Sequence, residues 1–195
     1  MSKTINIKVG DKNLTDLLTE KELEIKNASL RDMLCSYSYE LLSGKTKGDM
    51  LNRKGVHVIH DDLENSFKEL DVFLAHIDGA FSSWSINQTP IQELEENEKL
   101  DSYHVNSFKI SGNDENISVV LKGTKGVSLG TMNVETPKIK LNGGYLYILE
   151  LTERLRVTTQ EVELYMDGKS APKFEQASMD FPEDEEVDFE NAKMN

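Results

Sequence analysis

The chain has 195 residues, of which 37% are hydrophobic and 29% charged, and its formal net charge is −13. This suffices for one domain of ordinary size, or two small ones sharing a core. A single cysteine excludes an internal disulfide and a Cys-based zinc cluster, and a negative body repels nucleic acid and anionic membrane unless a local basic patch intervenes.

Residues 5–9 alternate apolar and polar, the period of a half-buried strand, and Gly10-Asp11 ends it. Residues 13–20 read as a short helical turn and 23–25 as a second short strand. Ser29-Leu-Arg-Asp32 has the form of a helix start, with Ser29 as N-cap and an acid three residues later. Leu30, Met33, Leu34, Tyr37 and Leu41 then share one helical face, which Gly44 closes. Residues 56–59 are extended or lead directly into the next element.

Asp61 and Asp62 stand where a helix N-terminus favours negative charge. Leu63, Phe67, Leu70, Leu74, Ile77 and Phe81 follow at alternating steps of four and three, which predicts a helix with one apolar stripe. Residues 82–90 read as a linker and 91–100 as an acidic helix. Strands are expected at 103–110, with a bulge between 105 and 108, at 117–123, and at 127–141, the last broken at Gly130 and before Pro137. Gly143-Gly144 ends this region. Residues 145–166 form a long amphipathic helix, stopped by Asp167-Gly168.

The expected fold is therefore α+β: a mainly helical part over 1–88, and a three-stranded or slightly larger antiparallel sheet backed by a long helix over 89–169. An acidic, disordered segment over 170–195 follows. No apolar run approaches the length of a membrane span, and the first residues carry no signal-peptide core. A cytoplasmic location is expected, meaning the host-cell cytoplasm if a phage encodes the protein.

Few constellations point to chemistry. Gly44-Lys-Thr46 resembles the end of a phosphate-binding loop, but Tyr39 stands where that loop needs glycine. His57 and His60, with Asp61 and Asp62, have metal-ligand character; capping of the following helix is the favoured role for His60 and Asp61. His76 is placed on the polar side of its helix, in solvent. Cys35 is expected to be buried, no serine lies in a Gly-x-Ser-x-Gly turn, and no carboxylate pair stands out. The expectation is a non-enzymatic protein without metal or cofactor.

Lys45, Lys47, Arg53 and Lys54 make residues 44–55 the most basic short segment. This is either a solvated loop or a phosphate-contact patch, with Tyr37, Tyr39, Trp84, Tyr103 and Phe108 as candidate base-stacking aromatics. Asp180-Phe-Pro-Glu-Asp-Glu-Glu-Val-Asp-Phe-Glu190 carries seven acids in eleven residues. It is either a solubilising end or a docking peptide in which Phe181 and Phe189 are anchors and Glu183, Asp184, Glu185, Glu186 and Asp188 supply charge. In the second role it recruits a protein partner or competes for a basic groove, as acidic aromatic tails do in single-stranded-DNA-binding proteins.

Lys54-Gly-Val-His-Val-Ile-His-Asp-Asp-Leu63 and the helix after it, with Phe108-Lys-Ile-Ser-Gly112, Val119-Val-Leu-Lys-Gly123, Glu135-Thr-Pro-Lys-Ile139 and Glu161-Val-Glu-Leu-Tyr-Met-Asp-Gly168, cover about half the chain. These segments resemble uncharacterised small acidic proteins of phages and mobile elements of Bacteroides-type bacteria. The resemblance implies a phage-type setting, in which such proteins serve DNA replication, recombination or host inhibition. It assigns no residue a role. The expected function is an accessory protein of phage-type DNA metabolism that contacts single-stranded DNA through its sheet face and residues 45–54. The alternative is an interaction module, a host-factor inhibitor or virion component, working through an acidic surface. The oligomeric state is left open.

Overall fold

A computed structural model describes residues 8–9, 12–13, 22–81, 89–113 and 116–172. Strands β1 (Lys8–Val9) and β2 (Lys12–Asn13) pair as a short antiparallel hairpin. The main sheet begins where the sequence predicts a helix. Cys35, Tyr37 and Tyr39 are buried, and this period of two makes β3 (Leu23–Arg31) and β4 (Leu34–Leu41) strands. Asp32 and Met33 join them with φ of 51° and 60°, the left-handed two-residue turn that matches the twist of a hairpin. The expected helical N-terminal part is thus overturned. The spacing of Leu30, Met33, Leu34, Tyr37 and Leu41 fits a helical face by coincidence, while burial follows the alternation.

Left-handed backbone costs a non-glycine residue about 1–2 kcal/mol. Met33 is 53% exposed at the turn, so Met33→Gly is expected to stabilise the protein by about 0.5–1 kcal/mol, after allowing for the greater freedom of glycine in the unfolded chain. Urea unfolding measures this as a higher midpoint at unchanged slope.

Strand β5 (Met50–Lys54) adds to β4. The chain then crosses one face of the sheet as α1 (Asp61–Lys68), α2 (Asp71–Ile77), α3 (Ile91–Glu95) and a 3-10 turn at Glu98–Ser102. The apolar stripe from Leu63 to Leu74 is buried as predicted, but the single helix it implied is interrupted at Glu69 and Leu70. The chain re-enters the sheet as β6 (Tyr103–Ser111), β7 (Ser118–Val127), β8 (Gly130–Glu135) and β9 (Ile139–Lys140). The predicted bulge lies between Val105 and Ser107, and the predicted break before Pro137 separates β8 from β9, both of which pair with β7. Helix α4 (Ile148–Met166) ends at Gly168, which adopts φ of 106°.

The seven strands form one antiparallel sheet in the order β5-β4-β3-β6-β7-β8, with β9 beside β7. Two meanders meet through the β3–β6 pair, so strands from both sides of residue 88 share one sheet. The three-stranded expectation is corrected accordingly. The core lies between the sheet and the helices: Ile25, Ala28, Tyr37, Phe108 and Leu121 face Phe67, Phe73, Leu74, Leu151 and Leu155. The rings of Phe67 and Phe108 are 5.7 Å apart, and burial of each ring contributes about 2–3 kcal/mol. Thr158 Oγ1 donates to the Ser66 carbonyl at 3.1 Å, two small side chains that let α4 approach α1 closely.

Candidate binding face

Since Ala28, Tyr37, Phe108 and Leu121 point to the helices, their strand neighbours point away. Register places Asn27, Ser29, Ser36, Ser38, Ser107, Ser111 and Ser118 on this second face. Among the described residues no helix lies over it. Its centre carries short polar side chains and its margins long ones, so the face is hollowed into a trough of about 620 Å³ bordered by Lys26, Glu40, Met50, Lys109 and Lys122. Ser38 in the trough, and Ser118 and Val120 on the same face, have little solvent access. The bulge between Ile25 and Asn27 turns Lys26 into the trough, where its Nζ lies 2.7 Å from Glu24 and 3.3 Å from Glu40.

Charge is divided between the two layers. Residues 61–102 hold eleven acids and two bases, and 148–169 hold five acids and three bases. The strand segments, 22–60 and 103–147, hold eleven bases and eight acids. Register puts Lys54 beside Ser36, Lys109 beside Asn27, Lys122 beside Ser107 and Lys140 beside Ser118, all on the open face. Lys122 pairs with Glu135 at 3.0 Å. Within a strongly negative protein, this face is where positive charge gathers above a bed of hydroxyl and amide groups.

The basic residues expected to act together are separated. Lys45 and Lys47 lie in the β4–β5 turn, and Lys54 lies at the far end of β5 on the open face. Arg53 pairs with Tyr37 in the ladder and so lies on the helix side. The candidate stacking rings are also removed: Tyr37, Tyr39, Tyr103 and Phe108 are buried on the helix side, and Trp84 lies outside the described residues. Strand alternation, invisible once 29–44 is taken as a helix, is the signal that would have separated buried rings from exposed lysines. Phe181, Glu183, Asp184, Glu185, Glu186, Asp188 and Phe189 also lie outside the described residues.

The histidines have local roles. His60 is the N-cap of α1, its Nδ1 accepting from the Asp62 N–H at 3.2 Å, and Asp62 pairs in turn with Lys169 at 2.6 Å. The expected capping role therefore holds for His60. His57 presents its carbonyl to the Tyr165 hydroxyl, which donates to it at 2.6 Å. No group of three or more His, Cys, Asp or Glu side chains among the described residues could hold a metal ion. His76 is not in solvent: it packs against Phe81, Tyr145 and Tyr147, its Nδ1 is 3.1 Å from the Tyr145 hydroxyl, and burial depresses its basicity.

Two further polar groups hold the helices in place. The Asp78 carboxylate accepts from Tyr103 at 2.6 Å and from Lys125 at 2.7 Å, fixing the end of α2 to β6 and β7. Arg154 pairs with Glu95, donates to the Glu69 carbonyl at 3.0 Å and lies over the Phe73 ring. Cys35 is fully buried and burial pushes its thiol up to about 12, away from the thiolate a nucleophile requires. No helix of the described residues is long and apolar enough to cross a membrane. No family model, curated protein or solved structure matches the chain.

Proposed function

We propose that the protein is a non-enzymatic accessory factor of phage-type DNA metabolism that holds a single-stranded nucleic acid by its backbone on the open face of the sheet. The observation that carries this reading is the gathering of Lys54, Lys109, Lys122 and Lys140 on one face while the helical layer is strongly acidic. Serine, asparagine and lysine are the side chains that contact phosphate and sugar. With the tyrosines turned inward, stacking on bases plays no part in this mode, and binding is independent of sequence. The phage-type setting rests on the resemblance of residues 54–81, 108–112, 119–123, 135–139 and 161–168 alone.

Titration of labelled single-stranded oligonucleotide at two salt concentrations tests the reading. Contacts with about three phosphates give a log–log salt slope near −2 for single strands. Lys109→Glu together with Lys54→Glu is expected to weaken binding at least tenfold at low salt, since each replaces an attraction with a repulsion. Absence of binding by the native chain at low salt, or indifference to both substitutions, rejects the reading.

The acid-rich run 91–101, with Glu93, Glu96 and Glu98 exposed, favours a second reading: an interaction module that covers a basic site on a partner protein. That reading predicts no oligonucleotide binding and a salt-sensitive complex weakened when these glutamates are changed to lysine.

A further inference from the structure

The open face has a ligand of matching charge within the same chain. Residues 173–195 contain eight acids, and Asp180–Glu190 holds seven of them with Phe181 and Phe189. We propose that this acidic segment occupies the open face of the sheet and competes there with nucleic acid, so that the protein regulates its own binding site. The inference rests on the reading of that face as an anion-binding surface.

Three observations point to this occupant. The described chain ends near the β5 edge of the sheet: the Ala171 N–H donates to the Val58 carbonyl at 3.0 Å, four residues beyond Lys54, the last residue of β5. Asp180 is seven residue steps from Lys173, a reach of about 23 Å when extended. A sheet six strands across is about 24 Å wide, so the acids can meet Lys54 at one edge and Lys122 and Lys140 towards the other.

The second observation is electrostatic. The helical layer is itself acidic and repels the segment, whereas Lys54, Lys109 and Lys140 attract it, joined by Lys26 and Lys122, whose charges are shared with Glu24, Glu40 and Glu135. The third concerns the phenylalanines. Met50 and Val120 are apolar side chains of this face, Met50 being 52% exposed, and they offer footing for two rings between charged neighbours. Tethering supplies a local concentration in the millimolar range, enough for a contact that is weak in isolation.

The full-length chain provides the test. Cys35 is buried and inert, so a nitroxide on Ala192→Cys labels one position. The expected result is selective broadening of the amide signals of Asn27, Ser107 and Lys109, with Glu153 and Gln160 on α4 unaffected. Broadening should be relieved in high salt and lost in Lys109→Glu/Lys122→Glu. Equal broadening of both layers, or none, overturns the inference.

A second measurement separates this inference from the function it builds on. Changing Glu183, Asp184, Glu185 and Glu186 to their amides is expected to tighten oligonucleotide binding roughly tenfold at low salt. Equal affinity with and without the four charges overturns self-competition. If no version binds oligonucleotide, the nucleic-acid reading falls, and the amide broadening still decides whether the segment sits on the sheet.

Discussion

Gly123→Ala is expected to destabilise the protein by about 3 kcal/mol, the upper end of the range for forcing atoms into a packed interior. Gly123 lies in β7 opposite Val105, at the bulge in β6. A methyl group there would fall inside contact distance of the His104 carbonyl oxygen and 2.7 Å from Cδ2 of Leu74. The carbonyl belongs to the backbone of the paired strand and cannot turn aside as a side-chain tip can. Leu74 is fully buried in α2 and has no free volume to enter. Relief thus requires β6 and β7 to separate or α2 to lift from the sheet, and either disturbs the layer that supports the open face. Gly126→Ala in the same strand is the control, because its nearest neighbours would be at 3.7 Å or more. Urea unfolding should give a near-native midpoint for Gly126→Ala and a much lower one for Gly123→Ala. Equal midpoints would mean that the strands do not meet in this register.

How far the sequence discloses this arrangement depends on which period dominates each segment. In β6 and β7 the residues Val105, Phe108, Val119 and Leu121 stand among turn signals, so strands, bulge and break are all legible. In α4 the spacing of Leu151, Leu155 and Val162 is equally plain. Residues 29–41 carry two periods at once. Leu30, Leu34 and Leu41 are only partly buried, while Cys35, Tyr37 and Tyr39 are shielded, and this difference is tertiary information. The turn was concealed too, since Asp32-Met33 lacks the glycine that commonly signals a left-handed pair.

The candidate face was less legible than the fold. Lys54, Lys109, Lys122 and Lys140 are scattered over 87 positions and come together only through the β4–β5, β3–β4, β3–β6, β6–β7 and β7–β9 pairings. A local cluster such as Lys45 to Lys54 draws attention in a sequence, yet alternation in β5 sends Arg53 and Lys54 to opposite faces.

Asp71 should make stability fall as pH rises from about 4 to about 7, and Asp71→Asn should remove that dependence. The bulge in β6 leaves the Val105 N–H directed at α2, where Oδ1 of Asp71 accepts it at 2.5 Å. The carboxyl is 4% exposed, and desolvation pushes its pKa up to about 7 against the opposing influence of the Val105 hydrogen bond and Lys68. His104 is the other titratable neighbour, its Nδ1 3.8 Å from Oδ2. The folded protein therefore keeps a proton that the unfolded chain has released across this interval. Raising the pH through it favours unfolding, and above about 7 the loss is complete, with an upper limit of about 4 kcal/mol for a shift of three units. Asparagine keeps the acceptor for Val105 and has no proton to lose. Its stability relative to the native protein should rise between pH 5 and pH 8, crossing from equal or lower to higher. Asp71→Ala loses the same titration but also leaves the Val105 N–H buried without an acceptor, so it should lie about 1–3 kcal/mol below Asp71→Asn across the whole range. Comparison of each variant with the native protein at matched pH cancels the titration of the many other acids. A constant difference between the native protein and Asp71→Asn from pH 5 to pH 8 would show that this carboxyl ionises as an ordinary surface acid, and that the bulge in β6 is held by something else.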